Sequence, residues 1–166
     1  MTQLLPRSPR LTYRQMTEAD LDDMARLLGH PEVMAHYPRP RTREEAAVWI
    51  RWNQDNYARD GFGLWILHDR DGTFVGDCGL TWQTVDGVED LELGYHLLPE
   101  HQGRGLATEA ASASRDLART RGIRRLIAII APGNAASRRL AERVGLSLEQ
   151  ETTQSGLPVQ VFATER

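Results

Sequence analysis

The stretch Glu92-Leu-Gly-Tyr-His-Leu-Leu-Pro-Glu-His-Gln-Gly-Arg-Gly-Leu-Ala-Thr-Glu-Ala110 constrains the fold of this chain more than any other. It reads as an apolar strand, a glycine-spaced loop, and a helix that begins almost at once. The loop Gln102-Gly-Arg-Gly-Leu-Ala-Thr108 offers several backbone N–H groups at a helix N-terminus with little side-chain bulk in the way. Unpaired amides and the positive end of the helix dipole then point at the same place, which suits a pyrophosphate. No Gly-Lys-Ser/Thr follows, so this is not a Walker A loop, and the spacing is not that of the dinucleotide fingerprint Gly-x-Gly-x-x-Gly.

The 166 residues are long enough for a single well-buried core and are expected to form one domain spanning 1–166, with 1–9 as a loose tail. A net charge of -3 argues against a nucleic-acid partner, which needs a basic surface. No apolar run approaches the roughly 20 residues that span a bilayer. The N-terminus has Arg and Pro but no apolar leader segment, so a cytoplasmic protein is expected. Cys78 is the sole cysteine and lies in an apolar run, compatible with a reducing compartment. His96 and His101 are five apart and lack a Cys/Asp/Glu frame, so no metal site is expected.

Arg10 to Arg14 reads as a short strand. Thr17-Glu-Ala-Asp20 and Thr42-Arg-Glu-Glu45 are capping signatures that open two helices. The first carries Leu21, Met24, Ala25, Leu27 and Leu28 at helical spacing and stops at Gly29; the second carries Ala46, Trp49, Ile50 and Asn53. Between them the prolines of His30–Pro40 forbid a continuous helix and leave a candidate substrate-side loop. Strands are then expected at Gly63–His68, Thr73–Gln83 and Asp90–Leu97, with turns at Asp69–Gly72 and Val85–Val88. A helix from Gly105 to Thr120, a strand Leu126–Ile130, a short helix opening at Asn134 and ending near Gly145, and strands at Leu148–Thr152 and Val159–Thr164 complete the chain. The class is α+β, hairpins first and a βαβ unit near the middle.

Two motifs together resemble a known family. Gln102-Gly-Arg-Gly-Leu-Ala-Thr108 resembles the acyl-CoA loop Gln/Arg-x-x-Gly-x-Gly/Ala of the GNAT N-acetyltransferase superfamily. Asn134-Ala-Ala-Ser-Arg-Arg-Leu140, ahead of Gly145-Leu146, resembles its second signature, Asn-x-x-Ala/Ser-x-x-Leu…Gly-Phe. Asn134 also reads simply as a helix N-cap. His30-Pro-Glu-Val-Met, Thr42-Arg-Glu-Glu-Ala, Gly76-Asp-Cys-Gly-Leu80 and Glu92-Leu-Gly-Tyr95 are similar to the RimJ/RimL-type branch, which includes ribosomal-protein N-terminal acetyltransferases. The resemblance implies a mixed, mostly antiparallel central sheet flanked by helices, with strands splayed at the cofactor site.

It also implies transfer of an acetyl group from acetyl-CoA to an amine without a covalent enzyme intermediate. Tyr95, Leu97 and Leu98 would then lie along the pantetheine arm, with Asn134 and Ser137 beside it. Gln102, Gly103, Arg104, Gly105, Leu106, Ala107 and Thr108 would hold the diphosphate, Arg104 adding charge and Thr108 a hydroxyl. Strand alternation puts Glu92, Gly94 and His96 on one face and Leu91, Leu93, Tyr95 and Leu97 on the other. Glu92 is the first choice for the base and His96 the second. Many members have a tyrosine after the motif leucine to protonate the thiolate; here Ala141 follows Leu140, which excludes a phenol at that site. Ser137 stands where the RimL-like branch has a serine assigned to this task, as donor or relay. Tyr37 and Trp82 are expected to form an aromatic wall for the acceptor, with Glu92 beside it, while Trp49 or Trp52 could line the inner face of the second helix.

Two acceptors fit this reading, a protein α-amine or a small amine, and the chain could act as monomer or homodimer. The alternative is a non-catalytic acyl-CoA-binding regulatory domain of the same fold. A nucleotide-binding module is weaker, because the loop lacks the lysine and metal-binding residues of such sites.

Overall fold

The computed structural model describes residues 4–164. Seven strands form one sheet in the order β1-β2-β3-β4-β5-β7-β6. They are β1 (Leu11–Arg14), β2 (Leu64–Asp69), β3 (Phe74–Val85), β4 (Val88–Leu97), β5 (Leu126–Ile130), β6 (Ser147–Gln154) and β7 (Leu157–Ala163). Four helices complete the fold: α1 (Leu21–Leu28), α2 (Arg43–Asp60), α3 (Leu106–Thr120) and α4 (Ala135–Arg143). The α+β class and the order of elements follow the sequence expectation, with β3, β4, β6 and β7 longer than their turn signals implied.

The residues between 4 and 9 are not the loose tail that composition suggests. Pro6 is buried, Ser8 Oγ lies 2.7 Å from the Tyr13 hydroxyl, and the Pro9 carbonyl accepts from Arg70 at 2.7 Å. Irregular backbone is held here by side chains rather than by a ladder. Residues 1–3 lie outside the described residues.

Both capping signatures act as written, with one difference. Asp20 accepts the Thr17 N–H at 2.7 Å, and a single 3₁₀ turn, Glu18–Asp20, precedes α1. At α2, Thr42 Oγ1 accepts the Glu45 N–H at 3.2 Å while Glu45 Oε1 accepts the Thr42 N–H at 2.9 Å. Met24, Leu27 and Leu28, the apolar stripe of α1, are fully buried. Each such side chain contributes about 1.5–3 kcal/mol of transfer free energy.

Strand pairing is antiparallel throughout except between β4 and β5, which run parallel. That pair joins only at Leu91↔Leu126 and Glu92↔Ile127, although both strands continue beyond it. β4 follows β3 to Leu97, while β5 follows β7 to Ile130, so the two diverge past Glu92. The sheet therefore opens as a V at its centre, above the residue expected to be the base.

Candidate active site

The V has a polar lining built from backbone. Leu98 N–H donates to the Val75 carbonyl at 3.0 Å, so this edge of β4 faces β3 at even-numbered positions. Antiparallel strands turn N–H and C=O of one residue to the same side. Leu93, Tyr95 and Leu97 consequently turn their amide groups toward the gap. Such an edge can bond an extended, amide-bearing chain as a missing strand would.

Past β4, the 3₁₀ turn Pro99–His101 leads into the glycine loop. Gly105 takes φ 76° as the residue before α3, a conformation glycine adopts without penalty. No side chain caps this helix, and its first internal bond is Glu109 N–H to the Gly105 carbonyl. The amides of Leu106, Ala107 and Thr108 are thus open at the positive end of a 15-residue helix. Gly103 and Gly105 remove side chains in front of them. This arrangement fits a diphosphate, and the amide-lined V next to it fits a pantetheine arm.

Two side chains of the loop are engaged elsewhere. Gln102, expected at the diphosphate, turns its amide back to donate to the Leu97 carbonyl at 2.9 Å. That contact takes up one of the backbone acceptors expected to face the cofactor and fixes the end of β4. Arg104 donates from its guanidinium to His101 Nδ1 at 2.8 Å, so its charge rests beside the turn. From outside, Arg10 closes the loop: it donates to the Arg104 carbonyl at 2.8 Å and pairs with Glu109 at 2.8 Å.

On the α2 face of the sheet, Glu92 sits at the root of the V. It accepts a hydrogen bond from the backbone N–H of Ile129, beyond the last β4–β5 pair. Burial pushes its carboxyl up to about 7, against the lowering influence of His96 and the Ile129 bond. That shift brings the carboxyl toward the range in which a general base works at neutral pH.

His96 lies on the same face and has both ring nitrogens occupied. Nδ1 is 2.8 Å from Asp77 Oδ1 and Nε2 is 3.0 Å from the Tyr37 hydroxyl. Asp77 is fully buried, and its second oxygen accepts from Trp49 Nε1 at 3.2 Å. Burial disfavours a charged imidazole, but Tyr37 and Asp77 outweigh it and raise His96 above its ordinary range. Shifted toward its charged form and with both ring nitrogens engaged, His96 is a poorer proton acceptor than Glu92. Asp77 was not anticipated, although one charged residue inside the apolar strand Phe74–Leu80 is a signal of a buried partner.

On the opposite face, Tyr95 reaches the first turn of α4. Its hydroxyl lies 2.9 Å from Ser137 Oγ and donates to the Ser137 carbonyl at 3.0 Å. Asn134 Oδ1 accepts the Ser137 N–H at 3.1 Å, which makes it the N-cap. Burial pushes the Tyr95 phenol up to about 12, so it stays protonated. Ala141 is buried and polar contacts at this point come from Tyr95 and Ser137.

The expected wall of Tyr37 and Trp82 does not form. The register pairs Trp82 with Leu91 and Asp77 with His96, which places Trp82 on the Tyr95 face and Tyr37 on the other. Side chains alternate along a strand, and Trp82 is an odd step away from Asp77. The ring that joins Tyr37 at His96 is Trp49, whose centroid lies 5.9 Å from the imidazole, edge-on.

Among the described residues, no helix is long and apolar enough to cross a membrane. Residues 10–147 match the family model described as an acetyltransferase (GNAT) domain. The chain is 34% identical to the protein YkkB of Bacillus subtilis (strain 168) over 156 residues, covering 92% of this chain and 91% of that one. An L-methionine sulfoximine/L-methionine sulfone acetyltransferase of Pseudomonas aeruginosa is 28% identical over 104 residues, 61% of this chain and 60% of its own. Among solved structures, an acetyltransferase from Agrobacterium tumefaciens str. C58 superposes with a TM-score of 0.84 at 26% identity, covering 100% of this chain and 98% of that one. YncA from Salmonella typhimurium, solved with its cofactor acetyl-CoA, shares the fold at a TM-score of 0.74 and 23% identity, covering 93% of each. With its seven-stranded sheet parted between β4 and β5, the chain belongs to the GNAT acetyltransferases.

Proposed function

We propose that the chain acetylates a primary amine by direct attack on acetyl-CoA in a ternary complex. The observation that carries this reading is Glu92 at the root of the V, buried and bonded to the Ile129 N–H on one face of the sheet, with the Tyr95–Ser137 hydroxyl pair on the other. Bound in the gap, acetyl-CoA supplies an activated thioester carbonyl and a thiolate leaving group.

The residues of this chain divide three tasks. Backbone groups of Leu93, Tyr95 and Leu97 orient the pantetheine arm, and the amides of Leu106 to Thr108 bind the diphosphate. Glu92 Oε takes the proton from the incoming ammonium, since a base works best with a pKa near the operating pH. Ser137 would give its Oγ–H proton to the departing thiolate; the Tyr95 hydroxyl, turning from the Ser137 carbonyl to Oγ, would return a proton to the serine, and solvent would restore the phenol. His96, shifted toward its charged form by Tyr37 and Asp77, positions Tyr37 and favours the ionised form of Glu92.

Ala141 argued for the non-catalytic alternative. Tyr95 at Ser137 supplies hydroxyls where Ala141 offers none, which favours chemistry. A protein α-amine as acceptor is the second reading, supported by the RimJ/RimL-type motifs at 30–34, 42–46, 76–80 and 92–95. The test is thiol release from acetyl-CoA with peptides bearing free N-termini and with small amines. Glu92→Gln should reduce turnover about 100-fold or more while acetyl-CoA still binds. Unchanged turnover in that variant would remove Glu92 from the mechanism.

A further inference from the structure

The segment that joins α1 to α2 is an Ω-loop, a compact excursion whose ends meet. Its base is tied where the Arg41 N–H donates to the Leu28 carbonyl at 2.9 Å, and Met34 is its buried anchor. From there the tip crosses the wide end of the V. Tyr37 reaches His96 on β4, its hydroxyl 3.0 Å from Nε2 and its ring 5.9 Å from the imidazole. The neighbouring His36 reaches the turn after β5, where a Cβ on Gly133 would stand 3.9 Å from its Nδ1. Among the described residues, the Tyr37–His96 bond is the one hydrogen bond from this tip to the sheet.

That bond is set from beneath. Asp77 faces His96 directly across the β3–β4 ladder and is fully buried in an otherwise apolar stretch of β3. A buried carboxylate is costly unless it is paired, and both oxygens here are spent: Oδ1 on His96 Nδ1 at 2.8 Å, Oδ2 on Trp49 Nε1 at 3.2 Å. Which nitrogen of a histidine faces outward is decided by the bond that the other one makes. A carboxylate only accepts, so Nδ1 carries the proton and Nε2 is left for Tyr37. Trp49 also meets the ring edge-on, at 5.9 Å.

We infer that Asp77 is a positioning residue for the acceptor: through His96 it holds Tyr37, and with Tyr37 the loop tip, across the acceptor side of the V. This rests on the acetyl-transfer reading above and adds what shapes the acceptor's entry. Glu92 shares this face of β4 with His96 and feels its charge, so the tip borders the side from which an amine reaches Glu92. Among the described residues, neither Glu92 nor Ser137 is hydrogen-bonded to the tip. Releasing the tip therefore changes acceptor binding and spares the acetyl-CoA site.

The test compares Tyr37→Phe, Asp77→Asn and the double variant, with L-methionine sulfone and trialanine as the amines. Phenylalanine removes the hydroxyl alone, and asparagine leaves a single acceptor for the N–H groups of His96 and Trp49. Each single variant should raise the amine KM about tenfold, with kcat falling less than about threefold and CoA affinity kept. The double variant should be no worse than either, because Asp77 acts through Tyr37. Amide exchange at residues 35–37 should quicken in all three. Effects that multiply, a fall in kcat at constant KM, or a Tyr37→Phe enzyme with normal KM and exchange would overturn the inference. Thermal melts and CoA titrations show which variants fold. If Asp77→Asn does not, the nitrogen NMR spectrum of His96 in the parent decides: a protonated Nδ1 supports the role of Asp77, and a lone pair there overturns it. If enzyme that binds acetyl-CoA acetylates neither amine, that counts against the acetyl-transfer reading, while exchange and the nitrogen spectrum still decide the positioning role.

Discussion

The hydroxyl of Tyr95 on β4 and Oγ of Ser137 on α4 are 2.9 Å apart, across the end of the opened sheet. The tyrosine is 42 residues away in sequence and comes from β4, whereas α4 offers only Ala141 after Leu140. With the phenol beside it, Ser137 can be reprotonated as it gives up its own proton, the phenol in turn recovering one from solvent. Ser137→Ala should lower kcat about 100-fold and Tyr95→Phe about tenfold, with acetyl-CoA binding little changed. Stopped-flow thiol release with parallel CoA titrations separates the two effects. A Tyr95→Phe enzyme with normal kcat would reduce Tyr95 to a packing residue.

Glu92 dictates the acidic limb of the pH profile. With its carboxyl pushed up to about 7, kcat/KM should rise with pH through that region and level off above it. The Glu92→Gln variant should lose that limb. Because the folded protein holds this proton more tightly than the unfolded chain, ionising Glu92 costs stability as pH climbs from the unfolded value of about 4.3 toward 7. Glu92→Gln should therefore melt no lower than the parent at pH 8, which distinguishes lost chemistry from lost fold.

The His96–Asp77 pair has the opposite sign. A histidine raised by folding contributes stability that is complete below its unfolded value of about 6.5 and disappears as pH rises through the folded value. Denaturant melts should show a loss of stability on the alkaline side that Asp77→Asn removes, together with a general loss of about 3 kcal/mol from breaking a buried pair. Imidazole resonances of His96 that titrate near 6.5 in the parent would contradict this.

Gly79 shows how closely β2 and β3 approach. A Cβ at this position would stand 2.0 Å from the Gly63 carbonyl oxygen and 2.8 Å from Leu64 Cα, both backbone atoms that cannot rotate away. Gly79→Ala should cost about 3 kcal/mol, measured by urea denaturation. Since Gly94 and Glu92 lie across the β3–β4 ladder, catalysis should fall as well.

Local signals made much of this fold legible. The capping boxes at Thr17 and Thr42, the strand of Leu126–Ile130 and the glycine loop each act within a few residues, and each appears where the sequence places it. What stayed hidden depends on register. Which face Trp82 joins is decided by its pairing with Leu91, and a one-residue slip would reverse it. The contacts of Tyr95 with Ser137, and of His96 with Asp77 and Tyr37, join residues 19 to 59 positions apart. Side-chain direction also escaped the motif, as Gln102 and Arg104 show by turning to Leu97 and His101.

The central claim is direct transfer from acetyl-CoA to an amine in a ternary complex. Its most direct test follows thiol release and intact-protein mass together, with acetyl-CoA alone and then with amine added. The account predicts no acetylated protein and negligible thiol release without amine, then thiol release matching acetylated amine one for one. An acetyl-protein adduct formed before amine arrives, or no amine-dependent release from enzyme shown to bind acetyl-CoA, would contradict it.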